Sequence, residues 1–162
     1  MRPVISNTGP LIALANIGQL ELLHRLFNTI IIPPAVRAEV LNEPALTAVQ
    51  TAISKNWISE QHPSDTGAIR LLNEALDLGE SEAIALAQQT APQWIILDDL
   101  AARHVAEAMG LPVIGTLGVL LQAKEAGHIT EIKLLLDKLR DQSLYLSETL
   151  YLHILQSAGE TE

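Results

Sequence analysis

The chain contains no cysteine in 162 residues. That excludes a disulfide scaffold, thiolate zinc sites, iron–sulfur clusters and a cysteine nucleophile, and it fits a reducing compartment. Aromatic residues make up only 3%, so any core must be built of Leu, Ile, Val and Ala. No apolar run reaches the roughly 18 residues of a membrane span. The apolar start after Arg2 is broken by Asn7-Thr8-Gly9-Pro10 before a signal-peptide pattern develops. The expectation is a cytoplasmic protein with no membrane association. Basic residues are also scarce, ten Lys and Arg against nineteen Asp and Glu, for a net charge of −9. A chain that holds nucleic acid by its phosphates is usually basic. Excess acid serves solubility or a carboxylate cluster that holds a divalent cation.

What is present is a folding chain. Hydrophobic residues are 48% and charged residues 18%, which argues for a packed domain and against disorder. The length suits one domain spanning 1–162. Short apolar runs alternate with helical patterns. Strands are expected at Val4-Ile5-Ser6, Thr29 to Ile32, Trp57-Ile58, Trp94 to Leu97 and Pro112-Val113-Ile114. Helices are expected from Pro10 as first helical residue, over Leu20 to Leu26, Ala35 to Leu41, Glu43 to Ser54 and Thr66 to Leu76. Gly79 is expected to close the last of these, and further helices cover Glu80 to Gln89, Leu100 to Met109, Thr116 to Ala126, Thr130 to Arg140 and Ser147 to Gln156. Strands of continuous apolarity separated by helices mean βαβ units, with a parallel sheet covered on both faces. The fold class is therefore α/β.

In such sheets ligands bind beyond the carboxyl ends of the strands. Asn7 and Thr8 follow the first strand. Glu39 lies on the helix after the second. Glu80 and Glu82 open the helix before Trp94, Asp98-Asp99 follow that strand, and Thr116 follows the next. These are hard oxygen donors, suited to Mg²⁺ or Mn²⁺. None of the five histidines stands at a strand end, and no Gly-rich nucleotide loop, metalloprotease motif or Gly-x-Ser-x-Gly occurs. Each acid also has an ordinary structural explanation. Glu39 fits a solvated helical position, Asp77-x-x-Glu80 a capping pair, and Asp99 a helix N-cap. Glu80 and Glu82 project to nearly opposite sides of a helix, so at most one is expected at a common site.

The ordered set Val4-Ile5-Ser6-Asn7-Thr8-Gly9-Pro10, Pro34-Ala35-Val36-Arg37-Ala38-Glu39-Val40, Gly79-Glu80-Ser81-Glu82-Ala83-Ile84-Ala85, Leu97-Asp98-Asp99-Leu100 and Gly110-Leu111-Pro112-Val113-Ile114-Gly115-Thr116 resembles a PIN domain, of the prokaryotic group close to VapC toxins. The resemblance implies a three-layer α/β/α domain with a short parallel sheet of four to five strands and C-terminal helices over about 130–158. It implies a metal-dependent endoribonuclease acting on single-stranded RNA, with Mg²⁺ or Mn²⁺ as cofactor. It implies the toxin half of a toxin–antitoxin pair, with an antitoxin protein as partner, and a homodimer. Carried onto this chain, the metal ligands are Asn7, Glu39, Glu82, Asp98 and Asp99, and the four acids among them are catalytic. Glu80, Thr8 and Thr116 are accessory, and Arg37, Arg103 and Lys124 are contacts for RNA. The family's first position is commonly Asp, and Asn7 supplies a carbonyl oxygen without charge. The implied enzyme is weakened accordingly. The alternative is a PIN-like module that binds RNA or protein.

Overall fold

Strands of two or three residues set the architecture. The computed structural model describes residues 2–142 and 146–160. Strands β1 (Val4–Ser6), β2 (Ile30–Ile32), β3 (Ile58–Glu60), β4 (Trp94–Ile96) and β5 (Val113–Ile114) form one sheet in the order β3-β2-β1-β4-β5. Every pairing is parallel; Ile5 sits opposite Ile31 and Ile95, and Ser6 opposite Ile96. The short parallel sheet is thus the one expected, with all five strands present.

Side chains alternate across it. Val4, Ile30, Ile32, Ile58, Ile96 and Ile114 face a core shared with α1 (Thr8–Asn16), α2 (Glu21–Phe27), α4 (Ala45–Ser54), α8 (Thr116–Glu125), α9 (Lys133–Asp141) and α10 (Glu148–Ser157). Ile5, Ile95 and Leu97 face a second core with α6 (Leu78–Thr90) and α7 (Leu100–Ala108). Helices α3 (Pro34–Glu39) and α5 (Thr66–Leu72) complete the set. Both faces are buried, which is why the strands read as unbroken apolar runs rather than alternating ones. Ile5, Ile95 and Ile96 are wholly buried. Cutting such a residue to Ala typically costs about 2–5 kcal/mol, so the sheet is a rigid platform for whatever its edge carries.

Several boundaries move for physical reasons. Helix α1 begins at Thr8, so Pro10 is its third residue and not its first; the first four helical N–H groups have no intrahelical partner, and a proline there loses nothing. Gly79 does not end a helix. It lies inside α6, which starts at Leu78 behind the capping box of Asp77 and Glu80, while α5 stops at Leu72. Trp57 precedes β3 rather than belonging to it. In the tail, α9 and α10 occupy the expected region, and residues 143–145 between them lie outside the described part. Glu160 fixes the tail: its carboxylate accepts from Lys124 Nζ at 2.5 Å and from the backbone N–H of Ile132 at 2.7 Å and of Lys133 at 3.1 Å. No helix is long and apolar enough to cross a membrane among the described residues.

Candidate active site

The chain runs outward from β1 to β2 and β3, then returns to place β4 on the other side of β1. The order reverses between β1 and β4, and the crevice at their carboxyl ends is the site where open α/β sheets take ligands. Asn7 ends β1 there, and Asp98 and Asp99 end β4. The Asn7 backbone N–H donates to the Ile96 carbonyl at 3.1 Å, which extends the ladder to the crevice.

Asn7 has an unmet need. It is 6% exposed, precedes α1 without capping it, and its Oδ1 has no hydrogen-bond partner. A buried acceptor left so costs roughly 1–3 kcal/mol and calls for a partner from outside the chain.

Glu39 is the last residue of α3. It is only partly exposed, not the fully solvated helical position its sequence context allows. Its half-buried carboxylate lies against the bare backbone of Gly79, with the Thr8 hydroxyl donating at 3.4 Å to each oxygen. Helix α6 holds α3 at both ends. While Gly79 receives Glu39, Glu82 Oε1 accepts from the Ala35 N–H at 3.0 Å. Pro34 has no N–H, so Ala35 supplies the first free donor of that helix.

The other acids cap helices as well. Asp77 accepts from the Glu80 N–H at 2.8 Å, and Glu80 returns the bond to the Asp77 N–H at 3.2 Å. Asp99 accepts from the Ala102 N–H at 2.9 Å as N-cap of α7. Asp98 turns the other way, accepting from the Thr116 N–H at 2.8 Å and hydroxyl at 2.5 Å, and so caps α8 where Gly115 has no side chain to do so. Helix N-termini favour negative charge. The structural and functional explanations of these acids therefore coexist: the caps fix the carboxylates at the sheet edge.

Fixing them there crowds them. Burial pushes the Glu39 carboxyl above its usual range, and the charges of Asp77 and Glu82 push it further, against the Thr8 hydrogen bond. Burial likewise raises Glu80; the Asp77 N–H opposes this, and the charges of Asp77, Asp99 and Glu39 add to it. Glu82 acts on Glu39 through its charge, while its carboxylate is bonded to the Ala35 N–H. Glu80 feels the charges of both Asp99 and Glu39.

No base of the chain relieves the crowding among those expected to meet RNA. Arg37 stands 3.7 Å from Glu60. Arg103 Nη1 donates to the Leu97 carbonyl at 3.0 Å. Lys124 is eight residues along α8 from Thr116, about 12 Å at helical rise, and is paired with Glu160.

Among the described residues no three Asp, Glu or His side chains stand close enough to grip one ion directly. The donor set instead suits a hydrated cation. Mg²⁺ dehydrates reluctantly and keeps several waters beside one or two carboxylates. Asn7 Oδ1, Glu39 and Asp99 are the oxygen donors that could serve such an ion from this edge of the sheet.

Sequence reasoning made Gly79 a helix stop and gave Asp77 only a capping role. The signal was available: a capping box starting at Asp77 puts residue 79 inside the helix, on its second position.

No curated protein matches this chain. The sequence profile of the family DUF3368, described as a PIN domain, matches residues 3–160. PIN domains are generally nucleases that use divalent metal ions, and the five-stranded parallel sheet with helices on both faces is their three-layer fold. By that match, over nearly its whole length, the chain belongs to the DUF3368 family of PIN domains.

Proposed function

We propose that this protein is a metal-dependent endoribonuclease acting on single-stranded RNA. What supports the reading is the raised Glu39 and Glu80 carboxyls, which burial and neighbouring acids, Asp99 among them for Glu80, push up, together with the buried, unpartnered Asn7 Oδ1 at the end of β1. Negative charge concentrated at a switch point without a base to match it is a place for a cation.

A bound Mg²⁺ or Mn²⁺ would neutralise the acids, lower the pKa of a water and stabilise charge on the phosphate. Asn7 Oδ1, Glu39 and Asp99 would hold it, with Glu80 adding charge from the capping box. Burial raises the Glu39 carboxyl above its usual range, and a bound cation would hold that carboxylate ionised. Thr8 orients that carboxylate. Glu82 holds α3, and through it Glu39, in position. Asp98 organises the start of α8 and leaves Asp99 to face the acids.

The resemblance to VapC-like proteins extends the reading to a homodimeric toxin countered by an antitoxin. A small antitoxin-like gene in the neighbouring reading frame supports that extension, and its absence removes it. A second reading is favoured by one residue: Asn7 brings no charge where the family commonly has Asp, as in a module that binds RNA without cutting it.

The deciding experiment is cleavage of a mixed single-stranded RNA pool with Mn²⁺, with Mg²⁺ and with EDTA. Metal-dependent cuts that vanish in Asp99→Asn support the enzyme. RNA retained intact on a filter in all three conditions supports the binding module.

A further inference from the structure

A cavity of about 470 Å³ opens on the far side of the Asp98–Asp99 pair. Val113, Leu117, Leu121 and Leu150 wall it from β5, α8 and α10, and Asp98 and Arg103 form its polar end. That is the size and make-up of a small-ligand pocket: roughly 300–1,000 Å³, mostly apolar, with a few convergent polar groups. The acid cluster does not use it.

The polar end is kept open by a glycine. A β-carbon on residue 115 would stand 2.5 Å from Arg103 Nη1 and 3.1 Å from Asp98 Oδ1. Carboxylate and guanidinium thus converge on the same bare backbone, yet they are not closed on each other as an ion pair. Asp98 is steadied by Thr116, and Arg103 by the Leu97 carbonyl. Each keeps capacity. A carboxylate has about four acceptor positions and a guanidinium five donors, and these bonds occupy two and one of them.

A ligand that fits has flat apolar faces and one edge bearing donors for Asp98 and an acceptor for Arg103. Nucleobases have that form, and proteins that read single-stranded RNA bind splayed bases by their Watson–Crick edges. Guanine alone among the four sets two adjacent N–H donors, N1 and N2, beside an acceptor, O6. Thr116 already gives each Asp98 oxygen one bond, so the N1 and N2 donors would each take the remaining acceptor position of one oxygen. The cavity also shares a peptide bond with Asp99, which puts it beside the proposed cleavage site. We infer that this cavity seats a guanine of the substrate strand, next to the bond that is cut; the inference rests on the endoribonuclease reading for its substrate, not for its geometry.

The test uses the full chain with methyl-labelled Leu and Val, titrated with 5′-GMP, AMP, CMP and UMP without divalent metal. GMP should shift the Val113, Leu117, Leu121 and Leu150 methyls and bind at least tenfold more tightly than the other three. Leu150→Trp, which fills the cavity from a partly exposed position, should weaken GMP binding at least tenfold, with the Mn²⁺-induced rise in melting temperature retained. Equal shifts from all four nucleotides, or none from GMP, overturn the inference. So does undiminished GMP binding by a folded Leu150→Trp protein. The two readings fail separately. GMP seated in the cavity of a protein that cuts no RNA leaves the pocket and removes the enzyme. Metal-dependent cuts without guanine at the site leave the enzyme and remove the pocket.

Discussion

The Glu39 carboxylate occupies the space that a β-carbon on residue 79 would fill. Helix α3 can present Glu39 to the sheet edge only because α6 carries glycine at that point. Gly79→Ala puts a methyl there, and the flexible end of Glu39 is what yields. Alanine also suits a helix better than glycine by about 1 kcal/mol. The expected result is a protein melting at the same temperature or higher, with at least tenfold weaker Mn²⁺ binding by calorimetry and correspondingly slow cleavage. A variant that binds Mn²⁺ as wild type does would place Glu39 outside the metal site.

The other end of the same grip is Glu82 on the Ala35 N–H. If Glu82 acts by holding α3, the hydrogen bond matters and the charge does not. Glu82→Gln should keep Mn²⁺ affinity within about threefold and leave Ala35 amide exchange slow. Glu82→Ala should speed that exchange and lose about 0.5–2 kcal/mol of stability, the usual cost of a lost cap. Equal loss of metal binding in both variants would show instead that the Glu82 charge faces the cation.

Acid crowding has a pH signature. Glu39 and Glu80 have folded pKa values raised above 4.5, so both bind protons more tightly folded than unfolded. Their contribution to stability is full below the unfolded value and is lost as pH rises through the raised folded values. The tail runs opposite. Burial alone would raise Glu160, but Lys124 and the amides of Ile132 and Lys133 hold it below the ordinary value; its contribution is present above 4.5 and is lost as pH falls through the lowered folded value. The metal-free protein should therefore be more stable in urea near pH 5 than at pH 7.5, and weaken again at stronger acid. Glu80→Gln should flatten the slope between pH 5 and 7.5. An equally steep slope in that variant would take Glu80 out of the cluster.

The sheet was legible because its signal is local. Ile30-Ile31-Ile32 and Trp94-Ile95-Ile96 are uninterrupted apolar runs of strand length, and burial on both faces leaves no polar interruption to mislead. The acids were legible as a set because Asp98 and Asp99 stand just after a strand, Glu80 and Glu82 near a helix start, and Glu39 on the short helix that follows β2. Their individual tasks were not, since these depend on contacts across the fold. Glu82 meets Ala35 across 47 positions of sequence, Asp98 meets Thr116 across 18, and Lys124 meets Glu160 across 36. A single sequence carries no trace of such partners. Gly79 shows the opposite failure: glycine as a helix stop is a sound local rule, here overridden by the cap at Asp77 and the close approach of Glu39.

Asn7 carries the choice between enzyme and binding module. Its Oδ1 is buried at the carboxyl end of β1 with no partner, so a cation would satisfy it without needing a charge there. Asn7→Asp adds that charge to a place already crowded by Glu39, Glu80 and Asp99. Without metal the variant should melt lower than wild type, because burying a carboxylate at the 6%-exposed Asn7 position carries a desolvation cost. With Mn²⁺ the order should reverse. A unit charge at ~4 Å from a divalent cation is worth about 8 kcal/mol at an effective dielectric near 20, before desolvation is subtracted. A tenfold or greater gain in affinity is what should survive that subtraction. Single-turnover cleavage of RNA by both proteins, at one Mn²⁺ concentration and one salt, then separates the readings. Slow cutting by wild type and faster cutting by the variant means the site is a nuclease centre weakened by one missing charge. Equal, brisk cutting means the neutral carbonyl suffices, with Asn7 positioning water or substrate. If Asn7→Asp binds Mn²⁺ and neither protein cuts, restoring the charge has not restored the chemistry, and the binding module is what remains.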